Sequence, residues 1–306
     1  MVDDDPAGTV CVSNFLRVLR VNRAVAEPRY LYHYINRKEF RHRLAPFIRG
    51  STIQNLSVGK ALAGCTLPLP SIEEQRRSAA ILDRAELLRA KRRETLVYLD
   101  EVARSIFHDL FGGTAHKWSV RSLAELAQLT SGGTPDRSVR DHFGGDIPWV
   151  KSGELTSGRM VVGTDEQLTE MGVTNSSAKV QPPGTVLVAM YGATAGACAI
   201  LGVDAATNQA VCCVQTGKLI RPQFLLSFLQ GMTSELLSRR AGGAQPNLSQ
   251  SIIRDLKIPV PPVDQQLRFE RLLADIDRLR DVLSASLERL NELFCSCSDR
   301  AFAGEL

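Results

Sequence analysis

The stretch "LPLPSIEEQRR" at residues 67–77 returns as "IPVPPVDQQLR" at residues 258–268, and the offset between the copies is 191 residues. Pro68, Pro70, Pro259, Pro261 and Pro262 fix φ and disfavour helix in the residue before them, so both copies read as stiff extended segments. Helix is expected just beyond. Ser71 can cap it, with Glu73 and Glu74 in the first turn, and Asp264 does the same in the second copy. Downstream, "AILDRAELLRA" (80–90) and "RLLADIDRLRD" (271–281) keep the same offset.

Within these runs, apolar and small residues alternate at spacings of four and three. The first seam reads Ile81, Ala85, Leu88, Arg92, Thr95, Leu99, Val102, Ile106. The second reads Leu272, Ile276, Leu279, Leu283, Ser286, Leu290, Leu293, Cys297. This is a heptad pattern sustained for nearly four heptads, and a helix of about 40 residues is roughly 60 Å long. Such a helix cannot bury its stripe alone, so the matched seams predict that the two helices pack on each other, with Arg92, Thr95 and Ser286 fixing register. The competing expectation is that each helix packs on its own globular part.

The repeat also extends upstream. "RGSTIQNLS" (49–57) matches "GGAQPNLS" (242–249), and "PRYLYHYI" (28–35) resembles "PQFLLSFL" (222–229). "AGTVCVSNFLRVLRV" looks like the counterpart of "AATNQAVCCVQTGKL", and the copies close on Phe111-Gly112-Gly113 and Phe302-Ala303-Gly304. Between the helices, residues 116–262 read as α/β. They offer a short helix at 120–129, Gly/Pro/Asp-rich turns at 131–146, β-type runs at "TVLVAMYG", "ACAILGV" and "QAVCCVQ", and amphipathic helix at 222–240. Four segments follow: the latter part of a globular unit (1–70), a helix (71–115), a whole globular unit (116–262) and a second helix (263–306).

Composition is that of an ordinary globular chain, with 44% hydrophobic and 23% charged residues. A net charge of +4 does not by itself point to nucleic acid, but residues 1–70 carry ten Lys/Arg against five Asp/Glu, while 71–115 balance at eight each. Arg37, Lys38, Arg41 and Arg43 form the densest basic face. The seven cysteines show no CxxC or Cys/His ligand spacing, which argues against zinc and a disulfide framework and for reduced, buried thiols in the cytosol. The uncharged run 185–203 contains a GxxxG at Gly192 and Gly196, yet its glycines break it into short β-type pieces, so strand–turn–strand is expected there and no membrane span.

In order and duplication, these segments, with "SGGTP" (131–135), "DIPWVKSGEL" (146–155), "VLVAMYGATAG" (186–196), "TNQAV" (207–211) and "GGAQPNLS", resemble the DNA-specificity subunit of type I restriction-modification systems. The resemblance covers essentially the whole chain. It implies α/β target-recognition domains that each read half of a split DNA site, joined by two long helices packed as an antiparallel coiled coil. It implies double-stranded DNA, modification (methyltransferase) subunits and the restriction (motor-nuclease) subunit as partners, no cofactor and a cytoplasmic location. The sequence departs from the family at its front, where the first recognition domain lacks roughly its first half. A truncated product, a split or rearranged locus, and a half-subunit that forms a homodimer are the three readings of that departure.

Catalytic signatures are absent from the pattern. "GATAGA" has no lysine for a phosphate loop, "QPPG" (181–184) lacks the acid or amide and the aromatic of an amino-methyltransferase, and Pro135-Asp136 lies more than a hundred residues from Asp255-Leu256-Lys257. A non-catalytic recognition subunit is therefore expected. DNA reading needs polar side chains on protruding turns, with Asn and Gln suited to adenine and Arg and Lys to guanine. The candidates are Ser131, Gly132, Gly133 and Thr134; Lys151 and Ser152; Tyr191, Gly192, Ala193 and Thr194; Asn208 and Gln209; and Gln245 with Asn247. Arg137, Arg140, Lys179, Arg239 and Arg240 are phosphate candidates, and Trp149 is assigned to the core. The bland alternatives are turn-making glycines, capping asparagines and a core Tyr191. A second function class stays open, a helical scaffold that binds modification subunits without reading DNA.

Overall fold

The computed structural model describes residues 18–49, 55–156, 159–238 and 247–306. The chain divides into two compact units, one formed by the residues up to Tyr98 together with Arg280–Leu306, the other by Leu99–Leu279.

The first unit contains α1 (Pro28–Ile35), α2 (Lys38–Leu44), the antiparallel strands β1 (Ile48–Arg49) and β2 (Asn55–Leu56), α3 (Val58–Ala63) and most of the long helix α4 (Ile72–Phe111). Proline at the first position of α1 costs no hydrogen bond there and pre-sets φ. Ser71 and Glu74 form a reciprocal box at the start of α4: the Ser71 amide donates to Glu74 Oε2 at 2.8 Å, and the Glu74 amide donates to Ser71 Oγ at 3.3 Å.

In the second unit, β3 (Ser119–Ser122), α5 (Leu123–Leu126) and β4 (Ala127–Ser131) follow one another directly. Then come β5 (Phe143–Val150), β6 (Met160–Val161), β7 (Gln167–Leu168), α6 (Glu170–Thr174), β8 (Val186–Ala189), β9 (Cys198–Leu201), β10 (Ala206–Thr207) and β11 (Val211–Thr216). The unit closes with α7 (Pro222–Gly231), α8 (Thr233–Ser238), α9 (Gln250–Arg254), β12 (Lys257–Val260) and the first part of the long helix α10 (Val263–Ala303). Its main sheet runs β4-β11-β8-β9-β6, antiparallel except for the β6–β9 pair. A smaller sheet runs β10-β5-β7, and β12 pairs with β3. β8 and β9 are buried along their whole length, since α7 packs on them; that is why the run 185–203 lacks polar alternation. The run is strand, turn and strand.

The helix expected over 120–129 shrinks to the four residues of α5. A Ser122–Glu125 capping box starts it, but β3 is claimed by β12 on one side and β4 by β11 on the other. Ladder bonds from distant residues override the local helical period. The helix expected over 222–240 breaks at Met232 into α7 and α8. The proposed counterpart of "AATNQAVCCVQTGKL" lies mainly, and residues 50–54 and 242–246 of the "QNLS/PNLS" match wholly, outside the described residues.

The long helices pack on each other. In the first unit, Ala79 and Leu82 of α4 share a core with Ala301 and Phe302 of α10, and Arg89 meets Asn291 and Phe294. Low numbers on α4 meet high numbers on α10, so the pair is antiparallel. In the second unit, Phe107 and Phe111 of α4 pack on Phe269 of α10 at ring distances of 5.4 and 5.6 Å. The fold is therefore α/β with two long helices packed as an antiparallel coiled coil.

The seam itself is rotated from the expected one. The inward positions on α4 are Gln75, Ser78, Leu82, Ala85, Arg89, Arg92, Leu96, Leu99, Ala103, Ile106 and Leu110, a strict three–four alternation of buried or half-buried residues. On α10 they are Gln266, Phe269, Leu273, Ile276, Arg280, Leu283, Leu287, Leu290, Phe294, Cys297 and Ala301, each 191 residues later. Half of the expected seam is correct. Leu88, Val102, Leu279 and Leu293, expected inside, are 40%, 45%, 48% and 52% exposed. Arg89 takes the inward place that apolarity alone assigns to Leu88. Its guanidinium lies 4.4 Å over the Phe294 ring and its Nε donates to Asn291 Oδ1 at 2.7 Å, so a half-buried polar group keeps its partners. Thr95 points out and donates to the Lys91 carbonyl instead of fixing register.

Candidate nucleic-acid interface

The repeated "EEQ" and "DQQ" place one glutamine at the same point in each unit, and both are wholly buried. Gln75 Oε1 accepts from the Glu27 amide, and its Nε2 donates to the carbonyls of Val25 and Pro70. Gln266 Oε1 accepts from the Arg221 amide, and its Nε2 donates to the carbonyls of Leu219 and Pro261. Each glutamine thus ties the start of its long helix to the segment before α1 or α7 and to its own proline stretch. The aromatic at the end of the other long helix completes the joint. Phe302 packs 4.9 Å from Tyr30 of α1, and Phe111 packs 4.9 Å from Phe224 of α7.

With that joint in place, the second unit presents one rim of its sheets. The ends of β4, β5 and β8 and the start of β11 lie together there. Gly132 N donates to the Val211 carbonyl, Gly133 N to the Thr207 carbonyl, and Asn208 N to the Val150 carbonyl. Met190 N donates to the Ala210 carbonyl and Leu248 N to the Met190 carbonyl. The turn at Ser152–Thr156 touches the turn at Gly192–Thr194. These bonds bring Ser131 to Thr134, Lys151, Ser152, Tyr191 to Thr194, Asn208, Gln209 and Asn247 to one end of the unit. Gln245, Arg239 and Arg240 lie outside the described residues.

The individual positions differ in what they present. Gly132 and Gly133 are buried, and a Cβ on either would overlap the Thr207 carbonyl oxygen or the Ala178 amide, so their lack of side chain serves close backbone packing. What this turn offers outward is Thr134, whose hydroxyl hydrogen-bonds Gln209 Oε1. Gln209 is exposed, while Asn208 is half-buried and its Oδ1 accepts from the Ala210 amide, a local turn bond. Tyr191 is 39% exposed rather than core, and Gly192 beside it has φ +73°, a left-handed turn that glycine adopts without strain. Trp149 is buried, and its indole N–H donates to the Gly133 carbonyl at 3.1 Å.

Sequence reasoning missed Glu166 and the role of Arg137. Lys151 Nζ lies 3.0 Å from Glu166 Oε1, and an Arg137 nitrogen lies 3.1 Å from Glu166 Oε2. The Arg137 guanidinium sits 5.3 Å over both the Phe143 and Trp149 rings. Hydrogen bonds from Lys151 and then Arg137 hold the Glu166 carboxyl below its usual range, and the same bond raises the Lys151 ammonium. Only the basic–aromatic neighbourhood of Arg137, Phe143 and Trp149 hinted at this in the sequence.

Burial pushes the thiols of Cys198 and Cys212 up to about 12 and that of Cys213 to about 11, so these sulfurs are packing groups; Cys295 is exposed. His33, Asp83 and Glu86 form a group of possible metal ligands, but Asp83 already accepts from Arg29 and bonds His33 Nε2 at 2.7 Å. No helix among the described residues is long and apolar enough to cross a membrane.

The family model described as "Type I restriction modification DNA specificity domain" matches residues 115–292, more than half of the chain. The chain belongs to this family. It is 26% identical over 166 residues to the MjaIX type I restriction enzyme specificity subunit of Methanocaldococcus jannaschii, covering 53% of this chain and 38% of that protein. It is 27% identical over 194 residues to the HindI specificity subunit of Haemophilus influenzae, covering 62% and 42%. The chain thus spans about two fifths of the length of these curated relatives. A solved chain, described by its assembly and conformational transition within a type I R-M system, shares the fold at TM-score 0.61 and 20% identity, covering 94% of this chain and 74% of that one.

Proposed function

We propose that this chain is the non-catalytic DNA-recognition and assembly subunit of a cytoplasmic type I restriction-modification complex, reading double-stranded DNA on behalf of modification and restriction subunits. On this reading, residues 116–262 are a target-recognition domain, 71–115 and 263–306 are the spacer helices, and 1–70 are the latter part of a first recognition domain. The observation that carries it is the convergence of Thr134, Lys151, Tyr191, Asn208 and Gln209 on one rim, held there by backbone bonds between four different segments. Base reading requires polar groups held together on a rigid frame.

The assembly half of the reading rests on the rotated seam. Ile81 and Leu88 of α4 flank Leu293 of α10 along an apolar groove in the first unit. Their repeat mates Leu272 and Leu279, with Val102, hold the equivalent heptad positions in the second. Two like apolar strips suit two copies of one partner, the modification subunit. A scaffold that binds partners without reading DNA would use these strips alone.

The test is selection from a random-duplex library by the full chain mixed with its modification subunit, at one fixed salt concentration because phosphate binding varies steeply with salt. One enriched half-site is expected. A split palindrome would mean that two copies of the same reader act as a homodimer. A complex that forms and enriches nothing would refute DNA reading and leave the scaffold.

A further inference from the structure

We propose that Glu166 is a specificity-determining residue that positions Lys151 and Arg137 on the reading rim and withholds both cations from sequence-independent phosphate binding. The inference rests on the DNA-reading proposal. Lys151 follows the last residue of β5, beside Asn208, and opens a concavity lined by Gly153, Glu154, Gly163, Thr164 and Asp165. Two cations would repel one another here. Glu166 bridges them: Oε1 lies 3.0 Å from Lys151 Nζ, Oε2 lies 3.1 Å from one Arg137 nitrogen, and Oε1 also accepts from the other at 3.5 Å.

Several bonds make the bridge rigid. The Glu166 carbonyl accepts from the Trp149 amide at 3.1 Å and from Thr164 Oγ1, which fixes the backbone beneath the carboxylate. Arg137 lies over the Trp149 and Phe143 rings, which fixes its plane. Glu154 also faces Lys151, but its oxygens accept from the backbone amides of Lys151 and Asp165 at 2.6 and 2.9 Å, so it braces the loop. Asp165 adds further negative field.

A loose lysine or arginine contributes one phosphate contact on any sequence. Clamped, the pair carries one net positive charge instead of two, in one geometry. A base edge that accepts hydrogen bonds in that geometry can engage their remaining donors without breaking the bridge, whereas a phosphate arriving elsewhere must first displace the carboxylate. Affinity for wrong sequences falls more than affinity for the right one.

The experiment compares the wild-type complex with one carrying Glu166→Gln, on a duplex bearing the selected half-site and on a scrambled duplex of equal length, across a salt series. The variant is expected to bind the scrambled duplex about tenfold more tightly. Its salt slope should steepen by about 1–2, since each released phosphate contact adds roughly 0.9. The preference for the selected duplex should fall about tenfold. In a Lys151→Met/Arg137→Met background, Glu166→Gln should change neither slope nor preference, which separates clamping from a general charge effect. An unchanged slope, or equal weakening on both duplexes, overturns the inference and makes Glu166 a structural staple. If the wild type prefers no duplex at all, it is the DNA-reading proposal that fails.

Discussion

Gln75 and Gln266 show how much one side chain can organise. Each satisfies one backbone N–H and two carbonyls at a buried junction where prolines remove other donors. Gln266→Leu would leave those three groups without partners, and such groups cost about 1–3 kcal/mol each when buried. The variant is expected to lose about 3 kcal/mol of stability, read as a lower urea midpoint with an unchanged slope. A loss below about 1 kcal/mol would mean that water enters the junction and replaces the amide. The residue was visible in the sequence as part of a repeat, but its bonding was not, because its partners lie up to 50 residues away. The rim was legible in the same partial way. The polar turns were found, whereas Glu166 was passed over because a lone glutamate between a threonine, an aspartate and a glutamine carries no periodic signal.

At the scale of elements, the heptad frame was legible and its phase was not. Apolarity favours Leu88, Val102, Leu279 and Leu293, whereas packing chose Arg89, Ala103, Arg280 and Phe294. A small alanine lets the helices approach, and a long arginine can bury its stem against an aromatic ring. The displaced leucines are thereby left for a partner. Leu88→Asp with Leu293→Asp should abolish co-purification of the modification subunit while leaving far-UV helix content unchanged, because both residues are about half exposed in the chain by itself. Retained co-purification would place that partner elsewhere. Strand pairing was likewise beyond the local pattern at α5, where ladders to β12 and β11 confine helix to four residues.

Across the whole molecule, the two units reuse one joint with different chemistry. In the second, Arg221 grips Glu270 at 2.8 Å. In the first, Arg29 and His33 both grip Asp83. Burial pushes the Asp83 carboxyl up, but bonds from Arg29 and His33 outweigh it and leave it below its ordinary value of 3.8. A carboxyl depressed in the folded state stabilises above that ordinary value, and the contribution is lost as pH falls through the folded one. Hydrogen exchange, corrected for intrinsic rates, should therefore show the amides of α1 losing protection as pH falls below that ordinary value. In Asp83→Asn that pH response should be absent. A response of equal size in the variant would assign acid sensitivity to other carboxylates.

The sequence by itself determined the duplication, the extended proline stretches, the long helices and their heptad frame, the strand–turn–strand at 185–203 and the polar turns. All of these are encoded within a few residues, by fixed φ, by a three–four or alternating period, or by recurrence at 191 residues. Only the tertiary structure decided which side of each helix faces inward, that 120–129 is mainly strand, that Gly132 and Gly133 serve backbone packing, and that Glu166 joins Lys151 to Arg137. Each of these depends on a partner distant in sequence, whose distance, volume and charge enter the free energy only once the chain has folded.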